Sequence, residues 1–299
     1  MRQVPRDPGL TARMFFTMFL LAALYLLFIG VLYQAGVGFT GLVLIAGGML
    51  LLQYFFADRL VLLSTGAKVL RPEEAPELHA IVYRLAVQAG IPKPRVALVP
   101  TPVPNAFATG RSPGHAVVAV TQGLLDRLNQ QEVEAVLAHE LSHVRNWDMA
   151  VMTMASFFAT VASFLMRYFF FFSGGIFGND REDRGNSAVL VYIASLLVWA
   201  ISYLLIMAIS RYREFAADRG SAYLTGAPAN LRSALVKISG SQLTRAQGLG
   251  QGQGQAISAF LIIPSAQSAG ETIAELFSTH PSLKHRLAYL EELEREINH

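Results

Sequence analysis

At 299 residues the chain has length for one or two domains. It is 53% hydrophobic and only 15% charged, with a mean hydropathy of +0.40, which excludes an ordinary soluble enzyme and a disordered chain. The balance of 24 Lys and Arg against 21 Asp and Glu leaves +3 with no block of like charge, so the footprint of a nucleic-acid binder is missing. Cysteine is absent. Disulfides, thiol catalysis and thiolate metal sites fall away with it, and any metal centre must use His and carboxylates.

From Met14 to Ala57 there is no charged residue, which is room for two membrane spans of about 20 residues each. Polarity and a glycine at Tyr33-Gln34-Ala35-Gly36 interrupt the run, predicting spans over residues 14–33 and 38–56. The first reads as a span and not as a cleaved leader. It outlasts the apolar core of a signal peptide, about 15 residues, and no small-residue cleavage site followed by polar sequence is present. Uncharged runs over 149–166 and 188–210 predict a second hairpin; Arg167 shortens its first arm and can snorkel to the headgroups. A buried hairpin that never crosses is the alternative for this pair. With four spans, Arg13, Arg59, Arg71, Arg145 and Arg211 share one side and Arg181 and Arg184 the other. By the positive-inside rule the shared side is the cytoplasm.

The polar segments divide the chain at 1–57, 58–148, 149–210 and 211–299, the second and last forming one discontinuous cytoplasmic domain. Residues 72–88 carry a helical apolar period closed by Gly90 and Pro92. Residues 95–99 and 116–120 are short β-branched runs that predict strands, with loop chemistry between them at 105–110. Asn129 followed by Glu132 resembles a capping box, opening a helix that continues into the third span. Residues 248–255 alternate Gly with Gln and Leu as a low-complexity loop, and 281–297 predict a final charged helix.

His139-Glu140-Leu141-Ser142-His143 is an H-E-x-x-H motif. At 3.6 residues per turn both imidazoles share one helix face and can reach one ion, while Glu140 stands one position round as a general base. Zinc suits such a set, because it accepts His nitrogen and keeps an open position for water in catalytic sites. Position nominates Glu214 as the third ligand, since the second hairpin would return the chain to the same membrane face. Asp218, at i+4 from Glu214, is placed to accept the spare N–H of a ligand histidine. His280 before Pro281 is equally a turn histidine or a donor to a developing oxyanion. His79, His115, His285 and His299 read as structural or solvated.

Residues 139–148 (HELSHVRNWD), 213–226 (REFAADRGSAYLTG) and 276–281 (LFSTHP) resemble the HtpX family of bacterial membrane zinc metalloproteases, relatives of the CaaX prenyl endopeptidases in the gluzincin class. Residues 105–110 (NAFATG) and 118–125 (VAVTQGLL) match the same family, so the resemblance runs from about residue 70 to the end. It implies a mainly α membrane protein with four transmembrane helices and a gluzincin-like zinc metalloprotease domain containing a small β-sheet. It further implies one zinc on His139, His143 and Glu214, Glu140 as general base, Asp218 behind the ligands, and His280 at the oxyanion with Arg286 close by. Substrate would pair with an edge strand, assigned to 116–120 with Val117 and Val118, and Asn105 and Ala106 would line the cleft. The implied role is quality control of damaged membrane proteins, cleaved as polypeptides at the cytoplasmic face of the bacterial inner membrane. Two rivals are a CaaX-type protease for prenylated tails, which would need a larger helical chamber, and a catalytically silent scaffold, which would have no need of Glu140.

Overall fold

The computed structural model describes residues 5, 7–34, 39–172, 184–246 and 281–298. Within them the protein is mostly helical with one small mixed sheet, and it divides into two compact units. One comprises Thr11–Phe56 and Val151–Ile209; the other gathers Met1–Leu10, Ala57–Ala150 and Ser210–His299.

The first unit takes the apolar runs of α1 (Pro8–Gln34), α2 (Phe39–Thr65), α6 (Asp148–Phe172) and α7 (Arg184–Thr225), while residues 57–65 of α2, 148–150 of α6 and 210–225 of α7 belong to the second. Among the described residues, two helices, Pro8–Gln34 and Val189–Thr225, are long and apolar enough to cross a membrane, and a third candidate is a pair broken after Arg145. Leu21, Tyr25, Phe28 and Leu32 recur at helical spacing on one face of α1. They are buried with Ala155 and Ala162 of α6 and Val191 and Val198 of α7. Small buried residues such as Ala162, Ser195 and Ser202 let backbones approach closely, the usual route to packing among membrane helices. Tyr25 satisfies its hydroxyl by donating to the Ala155 carbonyl at 2.6 Å. Outward, Phe15, Phe19, Leu26 and Leu197 are exposed, an apolar surface that a bilayer would cover.

The second unit is built on a four-stranded sheet with helices packed on it. The strands are β1 (Lys68–Val69), β2 (Arg95–Val99), β3 (Ala106–Thr109) and β4 (Val117–Thr121), in the order β1-β2-β4-β3. β2 and β4 are parallel, with Arg95 opposite Val117; β3 runs antiparallel to β4, with Ala106 opposite Val120. Two expectations are corrected here. Within the segment 105–110, expected to be loop, Ala106–Thr109 form a strand, because their backbone ladders against β4 despite an unpromising composition; pairing overrides local propensity. Nor is residues 116–120 an edge: β4 lies between β2 and β3, and Val117 and Val118 are fully buried, so neither offers a free edge to substrate.

α3 (Pro76–Ala89) has proline in its first turn and ends at Gly90, whose φ of 69° supplies the left-handed cap. After the short α4 (Gln122–Leu125), α5 (Gln130–Arg145) forms the centre of the unit. Its Val136, Leu137, Leu141 and Val144 pack with Leu85 of α3, Val118 and Val120 of β4, and Leu235 and Ile238 of α8 (Pro228–Ala246). Leu290 and Leu293 of α9 (Leu283–Asn298) complete this core. The helix does not run on into α6 as its sequence suggests. Trp147 takes a left-handed φ of 59° and breaks it. Residues 248–255 and His280 lie outside the described residues.

Candidate metal centre

The capping box at the start of α5 forms as its spacing predicts. The Asn129 side chain accepts from the Glu132 N–H at 2.9 Å, and the Glu132 carboxylate accepts from the Asn129 N–H at 2.9 Å. Glu132 also accepts from Ser233 at 2.6 Å and Lys237 at 2.8 Å, pinning α8 to the same turn. Burial alone would raise its carboxyl, but Lys237, Ser233 and the Asn129 N–H outweigh burial and hold it below the ordinary value. That anchored start sets the phase of the motif two turns later.

His139 and His143 point their Nε2 atoms at each other, 3.2 Å apart. Glu214 of α7 brings one oxygen to 3.5 Å from His139 Nε2 and the other to 3.5 Å from His143 Nε2. All three are buried, and one ligand atom from each lies within 4.8 Å of the others. Donors at about 2.0–2.1 Å around a tetrahedral ion stand about 3.4 Å apart, so the three side chains fit one ion. α7 reaches α5 through a close crossing. A Cβ on Gly220 would stand 2.2 Å from the Ser142 hydroxyl oxygen and 2.6 Å from its Cβ, so only glycine fits there. One residue on, Ser221 donates to the Ala135 carbonyl at 2.7 Å.

Behind each histidine stands an aspartate, and behind each aspartate an arginine. His139 Nδ1 lies 2.9 Å from Asp218, which Arg286 of α9 grips through Nε at 2.9 Å and Nη2 at 2.6 Å. Arg286 also reaches Glu214 at 3.3 Å. His143 Nδ1 lies 2.6 Å from Asp148, which the Arg213 Nε approaches at 3.2 Å. A ring that donates from Nδ1 to a carboxylate presents a lone pair at Nε2. With both rings in that tautomer the two Nε2 lone pairs face each other beside a carboxylate, an arrangement that a cation between them would satisfy.

The charge balance agrees. Glu140, Asp148, Glu214 and Asp218 are all buried, against Arg213 and Arg286. With neutral histidines that leaves two negative charges in excess, which a divalent ion would cancel. In the metal-free protein, burial would lower His143, but Asp148 and Glu214 outweigh it and push it up to about 10. His139 moves upward too, its burial outweighed by Asp218 and Glu214. Burial first, with Glu214 adding to it, raises the Glu140 carboxyl against the pull of His139 and His143. Asp218 shifts down: Arg286 and His139 overcome its burial.

His139, His143, Glu214, Asp218 and Arg286 therefore meet, with Glu140 buried on the same helix. Asn105 and Ala106 stand at the head of β3, which packs on α5. Asp148 and Arg213 carry no role in the sequence reading, although both lie inside quoted motifs. The missing signal was the helix break: neither Asn146 nor Trp147 is a glycine or proline, so nothing announces that Asp148 turns back toward His143.

Helices of membrane length and an H-E-x-x-H helix completed by a glutamate from a second helix define the class of membrane metallopeptidases. The chain belongs to peptidase family M48, whose family profile matches residues 72–294. It is 62% identical over 297 residues to a protease HtpX homolog of Moorella thermoacetica, covering 99% of this chain and 98% of that one. To protease HtpX homolog 2 of Methanosarcina acetivorans it is 52% identical over 297 residues, 99% of each chain. The crystal structure of S. mikatae Ste24p shares its fold at a TM-score of 0.56 and 18% identity, covering 95% of this chain and 67% of that one. The HtpX resemblance carried by the motifs is borne out, and with it the activity of a membrane-bound metallopeptidase.

Proposed function

We propose that the protein is a zinc endopeptidase that cleaves membrane proteins at the cytoplasmic face of a bacterial inner membrane, removing damaged or misassembled chains. The observation that carries the reading is the convergence of His139, His143 and Glu214 at 3.2–3.5 Å. His139, His143 and Glu214 would hold the zinc ion, which would supply Lewis acidity toward a peptide carbonyl and lower the pKa of a bound water to about 7. Glu140 takes the proton of the attacking water and returns it to the leaving amine. In the metal-free protein burial raises its carboxyl. Asp218 and Asp148 hold the two rings in the ligating tautomer, and Arg286 positions Asp218 and Glu214 together. His280 donates to the oxyanion.

Substrate binding moves from β4 to β3. The Thr121 N–H donates to the Asn105 carbonyl at 2.9 Å, so Asn105 faces β4. Alternation then turns the backbone groups of the half-buried Ala108 to the outer edge, where an extended peptide can pair with them. Four spans, with the division at residues 57, 148 and 210, keep both polar segments on the side that the basic residues mark.

Zinc content and casein cleavage of purified protein test this reading beside a Glu140→Gln variant. The variant should keep its zinc and lose about 100-fold or more in cleavage; cleavage at the wild-type rate would remove Glu140 from the mechanism. Cysteine reporters at Ser187 and Ser282 should label from opposite faces of the membrane, and labelling of both from one face would mean that the second hairpin does not span.

A further inference from the structure

Away from the metal centre, the polar unit holds a cleft of about 340 Å³ walled by Arg59, Lys93, Arg95, Arg111 and His115, with Asp58 as its acid. Four permanent cations therefore face one carboxylate, in a chain whose whole net charge is +3. The arrangement is built by the backbone. Lys93 lies between Pro92 and Pro94, and a residue before proline is confined to extended conformations. In an extended chain Lys93 and Arg95 project to the same side. Both are exposed, and neither makes an ion pair or side-chain hydrogen bond among the described residues. On the opposite wall Gly110, at φ 137°, lies so close to His115 and Ala116 that a Cβ there would sit 2.7 Å from the His115 carbonyl oxygen. This contact brings Arg111 beside His115, whose Nδ1 lies 2.9 Å from the Ser112 hydroxyl.

Topology alone does not account for the cluster. Arg59 follows Phe56, the last residue of the predicted second span, and a basic residue there is what the positive-inside rule asks for. Lys93, Arg95 and Arg111 are remote from any span in sequence, yet they converge on Arg59. Leu62 and Ala116 add apolar surface to the same cleft. We propose that this cleft binds the phosphate-bearing headgroup of an acidic phospholipid. Arg59 stands at the end of an apolar run, where headgroups lie when that run spans, and cations at that depth attract anionic lipid. The proposal rests on reading α2 as a span, and it is independent of the metal chemistry.

The test is the lipid retained by the full-length protein in neutral detergent after incubation with equal phosphatidylglycerol and phosphatidylcholine, read by mass spectrometry. Phosphatidylglycerol should be enriched in the wild type. Lys93→Gln/Arg95→Gln should lose that enrichment on the order of tenfold, whereas Lys284→Gln/Arg295→Gln, which removes the same charge from α9, should keep it. Zinc content and casein cleavage should be unchanged in both, which keeps a failure of the cleft apart from a failure of the peptidase reading. Excess inorganic phosphate should leave the retained lipid in place. Displacement by inorganic phosphate would retain the phosphate site and change its source to a free anion. No enrichment in the wild type, or equal loss in both variants, would overturn the proposal.

Discussion

On one side of the metal site the His139 ring meets Asp218, which Arg286 holds with two hydrogen bonds; on the other, His143 meets Asp148, approached by one Arg213 nitrogen at 3.2 Å. The chemistry is the same: carboxylate on imidazole, guanidinium on carboxylate. The construction differs. Asp148 is five positions from His143 and comes back to it through a single left-handed residue, Trp147. Asp218 and Arg286 are 68 positions apart and meet only because α5, α7 and α9 pack together. The remote arm is also the drier one: the side chains of Asp218 and Arg286 are 0% and 1% exposed, those of Asp148 and Arg213 3% and 14%. A local turn can hold a ligand with its back partly wet. A remote arm must be sealed, and so it depends on the core around it.

The largest expected effect comes from the group that both arms share. Glu214→Ala should abolish stoichiometric zinc binding in a metal titration, since no other described carboxylate is within reach of both imidazoles. Full occupancy in that variant would place the third ligand elsewhere, with Glu275 and His280 the next to examine. Next comes the contrast between the arginines. Arg286→Met leaves Asp218 and Glu214 buried without their guanidinium, which should cost the metal-free protein about 3–5 kcal/mol in thermal or denaturant unfolding. Arg213→Met should cost clearly less, because its side chain is partly hydrated and Asp148 keeps His143. Equal losses would erase the difference between the arms. The smallest effect belongs to the aspartates. Asp148→Asn and Asp218→Asn should each weaken zinc affinity about 10–100-fold, with Asp218 toward the upper end. A larger loss at Asp148 would reverse the ranking.

The parts of the molecule that were legible in the sequence follow a short period or a short motif. The C-terminal end of α3 at Gly90, the capping box on Asn129, the strand over residues 95–99 and the final helix form where local chemistry puts them, whereas α3 starts at Pro76, four residues later than its apolar period suggests. Two readings failed for a common reason. β3 has loop-like residues and becomes a strand only through its ladder with β4, and β4 loses its edge because β3 takes it. Which strand borders which is a property of the sheet. The break at Trp147 and the role it gives Asp148 were invisible for a related reason: the left-handed residue is not one of the types that favour that conformation.

By itself the sequence determined the chemistry available to this protein. Without cysteine the metal set had to be nitrogen and carboxylate, the i, i+4 spacing of His139 and His143 put both rings on one face, and the uncharged runs were of membrane length. Tertiary structure alone decided how that chemistry is held. The 3.5 Å approach of Glu214, the grip of Arg286 on Asp218, the crossing at Gly220 and the outward edge of β3 each join residues far apart in the chain. The physical reason is range: helical period and capping act over three or four residues, whereas burial and charge pairing act between whatever surfaces the packed core brings together.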